Sequence, residues 1–184
     1  MSENAGLAAQ LVAKPDRRRA RTRQALTRAF AELVREQGFD AMTVAAVADR
    51  ANVGRSTIYE HFDGLPDLLR ASLQHPMGGL AAMLAAGRAA EEFVPLMLHF
   101  WEARQYGRAM LAGPARPWMV HCLADLLEPY VAAADGALPR RLLALQMAEA
   151  QLGLLAHWLE GRVAVSAEVM AGALFRSARA LAGG

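Results

Sequence analysis

Residues 43–62 read TVAAVADRANVGRSTIYEHF, and this stretch decides how the chain folds. Val47 and Ala48 fall on one face of a short helix, and Ile58 lies on the apolar face of a second one. Only residues 51–54 separate the two helices, so the chain must turn sharply. Asn52 stands where the first helix ends in a left-handed conformation, which asparagine tolerates better than other non-glycine residues. The pattern predicts a helix-turn-helix, a common motif for placing a helix in the DNA major groove.

The charge distribution beside this motif supports a role in DNA binding. Two short helices and a turn also occur in helical proteins that bind no nucleic acid, so the flanking sequence has to decide. Residues 1–62 hold ten basic and seven acidic side chains, whereas the rest of the chain holds ten and eleven. Most of the surplus lies in KPDRRRARTR, residues 14–23. Such a cluster suits contact with DNA phosphates, although a solvated tail has the same composition.

The composition favours helices throughout the chain. Hydrophobic residues make up 54% of the 184 residues, and alanine and leucine supply much of that fraction. Prolines and glycines lie mostly between apolar runs, where they mark helix ends. No alternation of β-branched residues persists along any segment. We therefore expect an all-α fold of about nine helices.

The sequence also indicates the cellular compartment of the protein and whether it carries a cofactor or metal. A single cysteine, Cys122, excludes an internal disulfide framework and fits a reducing compartment. Residues 1–13 lack the features of a signal peptide, and no apolar run approaches the roughly 20 residues that span a bilayer. We expect a cytoplasmic protein without a membrane partner. No cofactor or metal is predicted, because no HExxH motif occurs and the i,i+3 pairs His99/Glu102 and His157/Glu160 are of a kind that many helices contain by chance.

Helix signals divide the chain further. We expect residues 1–15 to form a disordered basic arm and a first helix to run from about Asp16 to Gln37, ended by Gly38. A fourth helix should start near Leu65, break near His75-Pro76 and resume over residues 78–88. The remaining helices are predicted over residues 91–107, 118–134, 138–159 and 166–181.

The stretch RTRQALTRAFAELVREQGFDAMTVAAVADRANVGRSTIYEHF, residues 21–62, resembles the DNA-binding head of the TetR/AcrR family of transcriptional regulators. Its basic start, Gly38-Phe39, Val47-Ala48, the run Ser56-Thr57-Ile58-Tyr59 and His61-Phe62 follow the family's order. The similarity covers about residues 17–70. It implies a three-helix DNA-binding head over residues 16–64 and a helical effector-binding and dimerisation body over residues 65–184.

The resemblance also implies which head residues contact DNA. Thr43 and Tyr59 match phosphate-contacting positions, and Arg55 starts the recognition helix, where a guanidinium can reach guanine or phosphate. Relatives often carry a phosphate-binding lysine where this chain has Leu65, so the arginines should supply more of the affinity. The predicted DNA-contacting residues are Arg17, Arg18, Arg19, Arg21, Arg23, Thr43, Arg55, Ser56, Thr57, Tyr59 and His61.

Effector domains of this family diverge, so the body is interpreted from residue chemistry. Aromatic and methionine side chains on successive helices could line a pocket for an apolar or aromatic effector, but they equally suit an ordinary core. His121 and Asp125, four residues apart, could anchor such a ligand or form a surface pair. The candidate ligand-binding residues are Phe93, Met97, Phe100, Trp101, Trp118, His121 and Asp125.

The helix predicted over residues 138–159 is apolar over most of its circumference, which indicates burial on two sides. Members of the family pair their last two long helices with those of a second copy, so the resemblance implies a homodimer. The predicted interface residues are Met147, Gln151, Leu154, Leu155, Trp158, Met170 and Leu174.

These expectations favour a ligand-responsive regulator, a repressor that binds a palindromic operator as a dimer and leaves it when a small molecule binds. The alternative is a ligand-independent nucleoid or division-linked DNA-binding protein, which a body without a cavity would favour. A small helical enzyme is disfavoured because no nucleophile with a base and an oxyanion or phosphate cradle is recognisable. The sequence leaves the effector, the operator and the direction of regulation open.

Overall fold

The structure, a computed structural model, describes residues 3–39, 41–85, 87–131 and 139–182, with side chains from residue 17 onward. In these residues nine α-helices and three short 3-10 segments form and no strand occurs, which confirms the all-α prediction. The helices are α1 (Glu3–Gln37), α2 (Val44–Ala51), α3 (Arg55–His61), α4 (Leu65–Ala81), α5 (Val94–Glu102), α6 (Arg104–Ala112), α7 (Arg116–Leu127), α8 (Arg140–Leu159) and α9 (Ala167–Leu181). The 3-10 segments are Ala82–Leu84, Ala90–Phe93 and Glu128–Tyr130.

The chain divides into two compact units. The first contains residues 1–37 and 41–72, and the second contains residues 38–40 and 73–184. The division falls inside α4, whereas the boundary predicted from the sequence lies at the start of that helix. No helix in the described parts of either unit is long and apolar enough to cross a lipid bilayer.

In the first unit, α1 supplies the apolar surface on which α2 and α3 pack. Leu26, Phe30 and Val34 lie on one stripe of α1 and are almost fully buried. Val47 and Ala48 of α2 are equally buried, as the sequence predicted. The apolar spacing of residues 43–62 therefore does produce a small helical core.

The ends of these helices follow the capping rules. Gly38 has φ +81° and ends α1 after Gln37, as predicted. The Thr43 hydroxyl oxygen accepts a hydrogen bond of 3.1 Å from the Ala46 N–H, so Thr43 is the N-cap of α2. Capping thus fixes where the chain leaves α1 and where it enters α2.

Asn52 makes the corner between α2 and α3. It has φ 53° and ψ 49°, the left-handed conformation that the sequence predicted. This turn lets the N–H groups of Asn52 and Val53 donate to the carbonyl oxygens of Asp49 and Ala48, over 3.1 and 3.0 Å. The last turn of α2 is therefore hydrogen-bonded by the residues that leave it.

The amino terminus differs from the expectation. The helix α1 begins at Glu3, so the structure replaces the disordered arm predicted for residues 1–15 with helix from that residue. The segment AGLAAQLVAK, residues 5–14, consists largely of strong helix formers, which explains the helical conformation. Lys14, the one basic residue of the predicted arm, is accordingly part of α1.

The predicted break at His75-Pro76 is wrong, because α4 continues through Pro76 to Ala81. Proline removes one N–H donor from the helix, a local loss of one hydrogen bond. Leu73, Met77 and Leu80 flank it on a buried stripe. Burial of this stripe offsets the missing hydrogen bond and keeps the helix continuous.

Two helices of the body differ from the prediction, one because it is divided and the other because it ends earlier. The helix expected over residues 91–107 starts as a 3-10 segment and divides at Ala103 into α5 and α6. The helix expected over residues 118–134 ends at Leu127, two residues before Pro129, and residues 132–138 lie outside the described residues. Pro129 has no N–H to donate to a carbonyl of the preceding turn, so α7 ends before it and the chain continues as the 3-10 segment Glu128–Tyr130.

Two ion pairs, one at each end of α7, join this helix to α8. Arg116 and Glu149 lie 2.7 Å apart, and Arg141 and Asp125 also lie 2.7 Å apart. The start of α7 therefore lies beside the middle of α8, and the two helices run antiparallel. The helix α9 packs against both α5 and α8, and its N-cap is Ser166, whose hydroxyl accepts from the Val169 N–H.

The conformation of Asn52 leads to a test of the corner. Asn52→Ala should lower the free energy of unfolding by about 1 kcal/mol, because alanine adopts the left-handed region at a steric cost. Asn52→Gly is the matched control, since glycine takes the same conformation without that cost. Urea unfolding of both variants measures the difference, and equal stability of the two would contradict the role of the left-handed turn.

Candidate nucleic-acid interface

The helix α3 exposes one face and buries the other. Ile58 is fully buried and Phe62, just beyond the helix, is 2% exposed, so both belong to the core as predicted. The rest of the helix surface carries Arg55 and Ser56, both exposed, and Tyr59, which is 64% exposed. A long guanidinium, a hydroxyl and a phenol on one outward surface can reach base edges and phosphate oxygens.

Arg23 anchors α1 to the end of α3. Its Nη1 donates a hydrogen bond to the backbone carbonyl oxygen of His61, and its guanidinium lies 4.2 Å from the centre of the Phe62 ring. The carbonyl lies in the last turn of α3, where a cation is favoured. Arg23, predicted as a DNA contact, is half-buried and has protein partners in this structure.

The other predicted arginines have different surroundings. Arg17, Arg18, Arg19 and Arg21 are exposed along α1. Their guanidinium groups are free to meet an external anion, whereas that of Arg23 would first have to leave its carbonyl partner. The basic cluster thus contains one structural arginine and four solvent-facing ones.

An ion pair that was not predicted from the sequence joins α1 to α2. Arg50 donates to Glu36 over 2.9 Å from Nη1 to Oε1 and lies 3.5 Å from Glu32. The hydrogen bond from Arg50 and its positive charge lower the pKa of Glu36. Glu32 and Glu36 lie four residues apart on one face of α1, but this spacing does not identify Arg50 of α2 as their partner.

The remaining head residues lie around this surface. Thr43 is exposed beside its capping hydrogen bond, and Thr57 is half-buried. His61 is also half-buried, and its Nδ1 is buried without a partner among the described residues. Leu65, in place of the family's lysine, is half-buried at the start of α4.

The predicted effector residues separate into a buried and an exposed group. Phe93, Met97 and Phe100 are buried, and the Phe93 ring stacks on Phe175 with 6.0 Å between ring centres. The other four are exposed and lie on α5 and α7: Trp101, Trp118, His121 and Asp125. His121 contacts the carbonyl of Pro117, and Asp125 pairs with Arg141, so this histidine and this carboxylate do not converge on one point.

A surface pocket lies elsewhere in the body. It has a volume of about 440 Å³ and contains none of the predicted effector residues. Arg108, Ala109, Ala112, Glu160 and Arg162 line it. No group of three or more histidine, cysteine or carboxylate side chains in the described residues could hold a metal ion.

The structure places six of the seven predicted interface residues inside their own chain. Leu154 is half-buried, whereas the other six are at most 2% exposed: Met147, Gln151, Leu155, Trp158, Met170 and Leu174. Trp158 also donates from Nε1 to the carbonyl of Val165 over 2.9 Å and lies 5.0 Å from the ring of Trp101. These six buried side chains therefore belong to the core of the body.

The head matches a known family. Residues 26–71 fit the family of bacterial regulatory proteins described as the tetR family. An uncharacterised HTH-type transcriptional regulator of Bacillus subtilis, YxbF, is 30% identical over 79 residues, which are 42% of this chain and 21% of that protein. The matched segment therefore spans about a fifth of that relative's length.

Solved structures extend the likeness to the whole fold. A TetR transcriptional regulator of Streptococcus agalactiae aligns with a TM-score of 0.61 and 22% identity, over 91% of this chain and 98% of the other. A TetR-family regulator of Streptomyces coelicolor gives the same TM-score and identity, over 90% and 96%. Over about nine-tenths of its length the chain thus shares the fold of these TetR-type regulators.

The contacts of Arg23 distinguish it from its neighbours on α1. Arg23→Ala should lower the free energy of unfolding by about 1–2 kcal/mol, because a charge-assisted hydrogen bond and a cation–π contact are lost. Arg21→Ala, which removes an exposed guanidinium two residues away, should leave stability unchanged within about 0.5 kcal/mol. Thermal and urea unfolding measure both variants, and equal losses would show that the Arg23 contacts are energetically unimportant.

Proposed function

We propose that the protein is a ligand-responsive repressor that binds a palindromic operator as a dimer. Its helix-turn-helix head, residues 26–71, fits the bacterial regulatory proteins of the tetR family. TetR-family regulators are not enzymes, so the enzymatic alternative is set aside. DNA binding also implies that the protein works in the cytoplasm, where bacterial operators are accessible.

The outward face of α3 is the observation that carries this proposal. Buried Ile58 and Phe62 hold the helix against α1, which leaves Arg55, Ser56 and Tyr59 directed to solvent. Arg55 can read guanine O6 and N7, and Tyr59 and Ser56 can bind phosphate or base edges. Arg17, Arg18, Arg19 and Arg21 add positive charge along α1, which supports binding to the DNA backbone.

A dimer is supported by the outer faces of α8 and α9. Leu142 is 48% exposed and Val169 is 53% exposed, and Ala150 and Gly153 lie on the same face of α8 as Leu142. A Cβ atom added at Gly153 would meet no other atom within 4 Å, so a second helix could approach closely there. A two-fold dimer formed through this face would present two heads to the halves of a palindromic site.

The body supports binding of a small apolar or aromatic effector. Its core includes the buried aromatic residues Phe93 and Phe100, together with Met97, which lies on α5 with Phe100. Unbranched methionine side chains can rearrange around a ligand more readily than branched ones. An effector that prefers the DNA-free state by about 1–3 kcal/mol would weaken operator binding roughly 5- to 150-fold.

The role of Arg55 can be tested on DNA. Arg55→Ala should reduce discrimination between the operator and a scrambled duplex by about 1–3 kcal/mol, the contribution of one good base contact. Fluorescence anisotropy with DNA from upstream of the protein's own gene, at several salt concentrations, measures this. Arg108→Ala, an exposed arginine of the body, is the control. Unchanged discrimination in the Arg55 variant would remove Arg55 from base recognition.

The dimer face can be tested without damage to the core. Gly153→Arg should convert the dimer to a monomer, because it places a long charged side chain on the outer face of α8 while favouring the helix itself. Gly78→Arg is the matched control, since its added Cβ also meets open space inside a helix. Sedimentation velocity at micromolar concentration measures the mass, and a dimer that survives Gly153→Arg would place the interface elsewhere.

A further inference from the structure

Gln151 is exceptional in the core of the body. Its side chain is 2% exposed, and it is the only polar or charged residue that is buried in the described part of the chain. Its Oε1 and Nε2 are both buried, and neither atom makes a hydrogen bond with a described residue. A core amide with neither its acceptor nor its donors satisfied weakens the fold, because these groups lose their water on burial.

The surroundings of Gln151 on α8 are apolar. Met147 and Leu155 lie one helical turn on either side, and both are almost fully buried. Trp158 continues the same stripe two turns along, with its indole N–H already bonded to Val165. None of these side chains offers Gln151 a hydrogen bond, so the amide stands alone on a hydrophobic face.

The core around this helix is rich in deformable side chains. Seven methionines of the second unit are at most 4% exposed: Met77, Met83, Met97, Met110, Met119, Met147 and Met170. Methionine changes shape at low cost, so a core built this way can open to admit a guest molecule. The buried amide and the methionine-rich core are two separate features of one unit.

We propose that Gln151 is the hydrogen-bonding anchor for the effector, and that this effector is an uncharged, largely apolar molecule with an amide or lactam group. This inference rests on the proposed function and specifies its ligand. A primary amide has one acceptor and two donors side by side, which an amide or lactam matches with its own N–H and C=O. Among the described residues no buried cation accompanies Gln151, so a carboxylate would enter with its charge uncompensated.

The first arm of the test measures the free protein. Gln151→Met keeps the length of the side chain and removes both polar atoms, so the Tm of the full chain should rise by about 2–4 °C. Gln105→Met, the same change at an exposed position of α6, should leave the Tm unchanged. A fall in Tm for Gln151→Met would mean that the native protein already satisfies the amide, by water or otherwise, and would overturn the proposal.

The second arm measures ligand binding with simple probes. Benzamide and ε-caprolactam, at millimolar concentration, should raise the Tm of the native chain, whereas benzoate should not. Gln151→Met should lose at least tenfold in affinity for both amides, and Gln105→Met should retain it. If neither amide stabilises the native chain, or if both stabilise Gln151→Met equally, the anchor role is overturned.

Operator titration of the same samples separates this inference from the proposed function. If the native protein binds the operator but fails the amide tests, the proposed regulatory function is supported and the anchor role of Gln151 is contradicted. If the native protein binds no operator but shows the expected Tm changes, the proposed regulatory function is contradicted and the amide-binding site is supported.

Discussion

The left-handed backbone at Asn52 is the constraint on which the DNA-facing surface depends. It ends α2, satisfies the carbonyls of Ala48 and Asp49 and turns the chain into α3 within three residues. The small side chain of Ala48 then allows α3 to cross closely, which buries Ile58 completely. With Ile58 buried, Arg55, Ser56 and Tyr59 of the same helix remain exposed to solvent.

Arg23 completes this arrangement from the other end of the recognition helix. Its guanidinium binds the carbonyl of His61 and covers the ring of Phe62, so α1, α3 and the exit from α3 are joined by one side chain. An arginine can do this because its planar group hydrogen-bonds at the edge while its face stacks on an aromatic ring. In a run of arginines, the residue type alone does not show which side chain contacts DNA phosphate and which one joins two helices of the protein.

Much of the head could be predicted from the sequence because its rules are local. Helix capping at Thr43, the left-handed turn at Asn52 and the apolar spacing of Val47 and Ile58 all depend on residues a few positions apart. The contact of Arg23 with His61 spans 38 positions and follows from how the helices cross, which no local pattern encodes. The same limit applies to Arg50 with Glu36.

The body shows a different limit of sequence reasoning. A helix that is apolar almost all round must be buried, but the pattern does not say whether its own chain or a second copy covers each side. Met147, Leu155 and Trp158 were assigned to a partner, and the chain itself covers them. The continuity of α4 through Pro76 was missed for a related reason, since burial of Leu73 and Met77 offsets a local defect.

The burial of Trp158 has a spectroscopic consequence. The chain contains three tryptophans, of which Trp101 is 40% exposed, Trp118 is 50% exposed and Trp158 is 2% exposed. An indole shielded from water emits at shorter wavelength than one in contact with it, so the short-wavelength edge of the intrinsic fluorescence reports on Trp158. Because Trp158 lies on the core side of α8, that part of the spectrum follows the interior of the body and requires no added label.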